Sequence, residues 1–219
     1  MDVTDFIIKN KIIVIVRRLY GEQIIKLARA LEAGGIKMIE VTFDQADPDC
    51  IKKTSEAIAA LKEELGDKMK IGAGTVLSVE QVDAAAAAGA EYIISPNVNL
   101  SVIKHTKEIG LISIPGAMTP SEMIEAHEAG ADFVKVFPVI DLGIKYMKNI
   151  MGPISHVKFL ATAGVTEENL ADMLNAGFSG AGISGRLTDK KLIEAGNFEE
   201  FTNRAKAFME IAQANGKEA

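Results

Sequence analysis

The sequence predicts an α/β fold, namely a single compact (β/α)₈ barrel of the TIM type that occupies residues 1–219. Eight apolar runs of strand length alternate with amphipathic stretches of helix length, and five of those stretches end in a glycine. Short alternating units of this kind favour parallel strands with right-handed crossovers. An open doubly wound sheet is the alternative, but no GxGxxG motif follows the first strand.

The strands and helices are assigned from apolar periodicity and from capping residues. The predicted strands are Ile12–Val16, Ile36–Thr42, Met69–Gly74, Tyr92–Ser95, Leu111–Ile114, Phe133–Phe137, Val157–Ala161 and Gly180–Ser184. The clearest helices between them are Gly21–Ala33, Cys50–Leu65, Val79–Ala88, Ser121–Ala129 and Glu167–Asn175, and Asn203–Ala219 is predicted to form a last helix.

Composition narrows the class of partner. A formal charge of -6 is typical neither of nucleic-acid binding nor of attachment to an anionic membrane surface, so small molecules are the expected partners. Cys50 is the only cysteine, which excludes an internal disulfide and fits a reducing cytoplasm. The apolar run Ile12–Val16 is too short for a signal peptide or a membrane span. We therefore expect a cytoplasmic enzyme-like domain.

Two charged residues stand in apolar strands, in the half that leads to the carboxyl end, where barrels carry their catalytic groups. Alternation places Glu40 on one face of its strand with Met38 and Thr42, and Lys135 on one face with Phe133 and Phe137. Burial lowers the pKa of a lysine and prepares it for nucleophilic attack, and a nearby carboxylate can transfer protons. A solvent-reaching lysine, or a structural ion pair for either residue, is the alternative interpretation.

Two further clusters follow strand ends. In Gly72-Ala73-Gly74-Thr75 the small residues either leave room for a substrate or relieve crowding at the rim. Glycine-rich segments Ala161–Gly164 and Gly180–Arg186 lie where barrels often bind phosphate. Arg186 either adds charge to a phosphate or, as we favour, is a surface residue. No His, Asp and Glu set has the spacing of metal ligands, so neither a metal nor another cofactor is expected.

Six motifs, in this order along nearly the whole chain, resemble the 2-keto-3-deoxy-6-phosphogluconate / 2-keto-4-hydroxyglutarate aldolase family. They are Ile39-Glu40-Val41-Thr42, Gly72-Ala73-Gly74-Thr75-Val76-Leu77, Ile94-Ser95-Pro96, Ile114-Pro115-Gly116, Thr119-Pro120-Ser121-Glu122 and Phe133-Val134-Lys135-Val136-Phe137-Pro138. The resemblance implies a homotrimer of barrels with class I, Schiff-base chemistry. It also implies cleavage of a 2-keto-3-deoxy sugar acid 6-phosphate, or of 4-hydroxy-2-ketoglutarate, to pyruvate and an aldehyde.

By the same resemblance, Lys135 is the Schiff-base lysine and Glu40 the carboxylate that moves protons. Thr75 falls on the residue that touches the pyruvyl carboxylate, and Thr162 on a position linked to stereochemical choice. The phosphate would be held by the last two strand ends, at Gly164, Ser184 and Gly185.

The sequence departs from the family pattern at two places. Many members carry an arginine four residues after the glutamate, where this chain has Asp44; either Arg17 at the end of the first strand takes over the charge or the substrate differs. Arg17 as a structural residue of the rim is the alternative interpretation. The segment Ala161–Gly164 lacks the usual proline and glycine pair. A barrel of different chemistry, or a non-catalytic protein that binds a sugar-acid phosphate, is therefore the alternative function.

Overall fold

The computed structural model describes residues 2–216 and contains one parallel sheet that curls into a barrel. Its strands are β1 (Ile12–Arg17), β2 (Met38–Thr42), β3 (Lys70–Gly74), β4 (Tyr92–Ile94), β5 (Ile112–Ile114), β6 (Gly116–Ala117), β7 (Val134–Val136), β8 (Phe159–Thr162) and β9 (Gly180–Ile183). They are ordered β5-β4-β3-β2-β1-β9-β8-β7-β6, and all pairs are parallel. The predicted barrel is confirmed.

The two ends of this sheet belong to one barrel strand. β5 and β6 are separated only by Pro115, which has no N–H group for a ladder hydrogen bond. β5 pairs with β4 and β6 pairs with β7, and the Pro115 carbonyl accepts a hydrogen bond from Lys135 N at 2.9 Å. The strand predicted at Leu111–Ile114 therefore continues beyond the proline, and this continuation closes the barrel.

The helices surround the strands. They are α1 (Val3–Asn10), α2 (Gly21–Ala33), α3 (Cys50–Leu65), α4 (Val79–Ala87), α5 (Leu100–Glu108), α6 (Pro120–Glu128), α7 (Val139–Met151), α8 (Leu170–Ala176), α9 (Lys190–Glu194) and α10 (Phe198–Ala214). Among the helices of residues 2–216, none has the length and apolar character needed to span a bilayer. α10 begins five residues before the predicted start at Asn203.

Buried apolar side chains form two clusters, one on each face of the curled sheet. The larger one lies between the strands and the surrounding helices and includes Ile39 and Val41 of β2. The smaller one fills the barrel interior with Ile7, Ile13, Met38, Tyr92, Ile94, Ile114, Phe133 and Leu160. Because Ile7 belongs to α1, this helix covers the end of the barrel at which the strands begin, opposite the predicted site. The sequence reading did not predict α1.

Candidate active site

Lys135 lies in the barrel interior with only 8% of its surface exposed. β7 places it on the face opposite Val134 and Val136, which pack outward against the helices. Its amino group lies 4.8 Å from the centre of the Phe137 ring. Burial lowers the pKa of Lys135 and Arg17 lowers it further, while the Glu40 carboxylate opposes this shift. The predicted interior position of Lys135 is confirmed.

Glu40 faces the same interior from β2 and is 2% exposed. Its Oε2 atom is buried without a hydrogen-bond partner. Burial raises the pKa of Glu40 to about 7, against the opposing effect of Lys135 and Arg17. A carboxyl group with this pKa can both accept and release a proton near neutral pH.

The two side chains line one small cavity of about 10 Å³, large enough for a single water. Its walls otherwise consist of Ile13, Ile15, Ile94, Ile114, Leu160, Thr162 and Gly182. A basic group, an acidic group and a hydroxyl therefore face each other in an apolar chamber. This is the setting in which a lysine becomes a nucleophile.

The glycines of β3 make room for protein side chains. A Cβ atom on Gly74 would lie 2.7 Å from Glu40 Oε2, and one on Gly72 would lie 2.1 Å from Cε2 of the Tyr92 ring. The space that we considered for a substrate is thus filled by Glu40 and Tyr92. The sequence pattern alone did not distinguish these two uses of the space.

Thr75 follows β3 at the mouth of the barrel, with its backbone in the left-handed region (φ 55°). Its carbonyl accepts a hydrogen bond from Gln45 Nε2 at 2.7 Å. Gln81 Nε2 in turn donates to Gln45 Oε1 at 3.0 Å. These bonds hold the loop after β2 against the loop after β3 and against α4. Thr75 lines an outer cavity of about 410 Å³, with Arg17, Arg18, Thr42, Phe43, Asp44, Gln45 and Lys190.

A second outer cavity of about 290 Å³ lies over the ends of β8 and β9. Its walls include the predicted binding residues Thr162, Gly164, Ser184 and Gly185, and also Arg17. Thr162 lines the interior chamber as well, so it stands between the two spaces. Gly164 lies in the left-handed region (φ 82°), and a Cβ atom there would be 2.4 Å from Ile140 Cβ. The structure therefore brings these residues together.

Arg17 ends β1, and its Nη1 donates to Ser184 Oγ, just after the neighbouring strand β9, at 2.9 Å. Within the part of the chain that the structure describes, no carboxylate pairs with it. It lines both outer cavities, and its charge acts on both Lys135 and Glu40. A free cation is therefore available to an anionic ligand at the mouth.

The sequence reading missed the partner of Asp44. Arg18 pairs with it, with Nε 2.6 Å from Oδ2 and Nη2 3.1 Å from Oδ1. The signal was present: β1 and β2 are parallel neighbours that pair Arg17 with Thr42, so residues just beyond both ends must meet. Lys190 at the mouth was missed as well. By contrast Arg186 lies at the rim in an ion pair with Glu167, and it also lines the cavity over the ends of β8 and β9.

Other titratable clusters do not compete with this site. Across residues 2–216, no group of three or more His, Cys, Asp or Glu side chains is arranged to hold a metal ion. His105 pairs with Asp83 on the outside, and the rings of His127 and His156 stack edge to face, 5.0 Å apart.

Comparison with known proteins identifies the family of the chain. The family model for KDPG and KHG aldolase matches residues 3–204. A 2-dehydro-3-deoxy-phosphogluconate aldolase of Treponema pallidum is 36% identical over 87% of this chain and 88% of its own length. A 2-dehydro-3-deoxy-6-phosphogalactonate aldolase of Escherichia coli is 34% identical over 82% of this chain and 85% of its own length.

A solved structure is similar throughout the fold. It is the KDPG aldolase of Legionella pneumophila with pyruvate captured as a covalent carbinolamine, which superposes with a TM-score of 0.83 at 28% identity and covers 94% of this chain and 98% of its own. The chain therefore belongs to the KDPG and KHG aldolase family and is a class I aldolase, a carbon–carbon lyase.

Proposed function

We propose that Lys135 and Glu40 carry out the aldol chemistry of this lyase. The observation that carries the proposal is their convergence on one apolar chamber, where burial lowers the pKa of the amine and raises that of the acid. Each shift favours the neutral form. A neutral amine is the form that attacks a carbonyl, and a neutral carboxylic acid can give up its proton.

The proposed reaction begins when Lys135 Nζ attacks the C2 ketone of a 2-keto-3-deoxy acid and forms a carbinolamine. Glu40 protonates the departing hydroxyl, so water leaves and a protonated imine remains. Glu40, now a carboxylate, accepts the proton of the C4 hydroxyl. The electrons of the C3–C4 bond then move into an enamine, and C4 leaves as an aldehyde. Protonation at C3 and addition of water release pyruvate and regenerate the free lysine.

The two outer cavities contain residues that can bind the two ends of the substrate. We propose that Thr75 and Arg17 bind the carboxylate next to the ketone, since both line the cavity of about 410 Å³. Gly164, Ser184 and Gly185 bind the far end, which is a phosphate or a second carboxylate. Thr162 stands between the chamber and the cavity of about 290 Å³, where it contacts the carbon that becomes the aldehyde and selects its configuration.

A substrate panel tests this proposal. Pyruvate release is followed in a coupled assay with 2-keto-3-deoxy acids that carry or lack a 6-phosphate, and with 4-hydroxy-2-ketoglutarate. We expect release from at least one compound with an anionic far end, and none from the Lys135→Met variant. Lys104→Ala, which changes an exposed lysine on α5, is the matched control. If no compound of the panel releases pyruvate, the proposal is wrong.

We also propose a homotrimer that works in the cytoplasm. Large apolar side chains are exposed after successive strands on one side of the mouth, at Leu77, Leu100, Met118 and Ile140. Exposed apolar surface of this kind marks contact with another chain, and the family resemblance implies three copies. Light scattering on the purified protein tests the state: a mass of three chains is expected, and a monomer at micromolar concentration would contradict it.

A further inference from the structure

The mouth of the barrel contains an acidic group where the proposed function brings in an anion. Among the described residues, Asp44 is the one carboxylate that lines the outer cavity shared by Thr75 and Arg17. Under the proposed function this cavity receives the carboxylate of a 2-keto acid. Like charges at close range repel, and the repulsion is stronger where protein walls limit the access of solvent. Arg17 and Lys190 in the same cavity attract an anion, so the Asp44 carboxylate is the repulsive charge, and neutralising it favours substrate binding.

Arg18 has the geometry needed for this neutralisation. Its guanidinium meets both oxygens of Asp44, with the two contacts at 2.6 and 3.1 Å. A charge-assisted hydrogen bond and a second close contact from one guanidinium fix the direction of a carboxylate and offset its charge. Ala46 N also donates to Asp44 Oδ1, at 3.3 Å. The Asp44 side chain is 18% exposed and that of Arg18 is 63% exposed, so the arginine covers the acid from the solvent side.

The two neighbouring arginines are used differently. Arg17 reaches Ser184 and has no carboxylate partner in the described part of the chain, whereas both oxygens of Asp44 contact Arg18. The Arg18 backbone adopts a left-handed conformation (φ 53°), which is uncommon for a residue with a side chain. This turn of the backbone separates the two side chains, so that one arginine is free for a ligand and the other is engaged.

We propose that Arg18 is a positioning residue, which holds Asp44 neutralised and turned aside so that the mouth accepts the carboxylate of a 2-keto acid. The inference rests on the proposed function, because it takes the cavity beside Thr75 as the carboxylate subsite. Arg18 then affects substrate affinity through Asp44 and leaves the chemical steps at Lys135 unchanged.

A double-mutant cycle tests the proposal. The variants are Arg18→Gly, Asp44→Asn and the double variant; glycine is chosen because it adopts the left-handed conformation without a steric penalty. Arg29→Ala is the matched control, since Arg29 is an exposed arginine paired with Glu64 far from the mouth. KM and kcat are measured in the coupled pyruvate assay, and thermal melting verifies that each variant is folded.

The expected pattern is specific. Arg18→Gly raises KM about tenfold, since it exposes a like charge to the substrate, while kcat stays within about twofold. Asp44→Asn lowers KM, and the double variant returns KM to within about threefold of the parent because no unmasked charge remains. The rise for Arg18→Gly shrinks at high ionic strength. Arg29→Ala leaves both constants unchanged.

Two outcomes would overturn the inference while the proposed function stands. If the double variant is as impaired as Arg18→Gly, Arg18 binds the substrate directly. If Arg18→Gly leaves KM unchanged, the pair is a surface contact without effect on binding. Failure of the unmutated protein to release pyruvate from any compound would instead overturn the proposed function, and the inference with it.

Discussion

This barrel contains two pairs of a basic and an acidic side chain, one in the interior and one at the rim, and they differ in almost every physical respect. Lys135 and Glu40 are buried in an apolar chamber, and Glu40 Oε2 has no hydrogen-bond partner. Arg18 and Asp44 lie at the rim, joined by one hydrogen bond and one close ion-pair contact. The rim pair keeps both charges satisfied, so it is chemically inert. The interior pair is left unsatisfied, and this is what makes an amine and an acid reactive near neutral pH.

Replacing the acid of each pair, Glu40 or Asp44, by its amide is expected to give the largest difference between the two pairs. Glu40→Gln removes the proton carrier, so we expect kcat to fall by about 10²- to 10⁴-fold while the protein stays folded. Asp44→Asn is the matched variant at the rim and is expected to change KM and leave kcat within about twofold. Steady-state kinetics with pyruvate release as the readout measures both. Similar kcat losses in the two variants would break the distinction between the pairs.

The position of Glu40 depends on the glycine beside it. A Cβ atom on Gly74 would lie 2.7 Å from Glu40 Oε2, so Gly74→Ala should displace the carboxylate. Because a displacement of about 1 Å can reduce a rate by about 10²-fold, we expect kcat to fall by about 10- to 100-fold with a smaller change in KM. Gly152→Ala, whose added methyl has its nearest contacts at 3.9 Å, is the control. An unchanged kcat for Gly74→Ala would show that Glu40 tolerates displacement.

The interior pair should also lower stability at higher pH. Burial raises the pKa of Glu40 from 4.5 to about 7, so the folded chain binds this proton more tightly than the unfolded chain does. Stability from this group is thus full below about pH 4.5 and is lost as the pH rises through about 7. As the pH rises from about 4.5 to above 7, the free energy of unfolding of Glu40→Gln should therefore increase, relative to that of the parent, by up to about 3 kcal/mol.

Denaturant titrations at about pH 4.5 and about pH 8 measure this gain. Glu122 is a control of opposite sign, because the N–H groups of Met118 and Thr119 lower its pKa. Stability from Glu122 is present above about pH 4.5 and is lost only as the pH falls below that value through the lowered pKa, so Glu122→Gln should show no comparable gain between about pH 4.5 and about pH 8. A pH-independent difference for Glu40→Gln would show that the Glu40 carboxyl titrates as if it were exposed.

Much of the fold and the centre of the site were predictable from local pattern. The period of two in β2 and β7 placed Glu40 and Lys135 in the interior, because apolar neighbours on the opposite face had to pack against helices. The alternation of strands and helices predicted the barrel. These features depend only on residues that are near one another in the chain, so they can be predicted from the sequence.

Features that depend on distant partners were not predicted. The fifth barrel strand is interrupted at Pro115, yet it pairs with β4 before the proline and with β7 after it. Only the closed sheet reveals this. Gly74 of β3 could make room for a ligand or for Glu40. The choice depended on the direction of the Glu40 side chain from the neighbouring strand β2. The pairing of Arg18 with Asp44 required knowing which two strand ends are neighbours. α1 is short, and its apolar residues did not indicate a helix by themselves. Their role becomes clear only in the fold, where Ile7 packs into the barrel interior.

The central claim is that Lys135 is the nucleophile, and trapping of the covalent intermediate tests it most directly. The protein is incubated with pyruvate and sodium borohydride, digested, and analysed by mass spectrometry. A stable reduced pyruvate adduct is predicted on the peptide that contains Lys135, whereas the exposed Lys104 should remain unmodified. An adduct on a different lysine, or no adduct at all, would contradict the account.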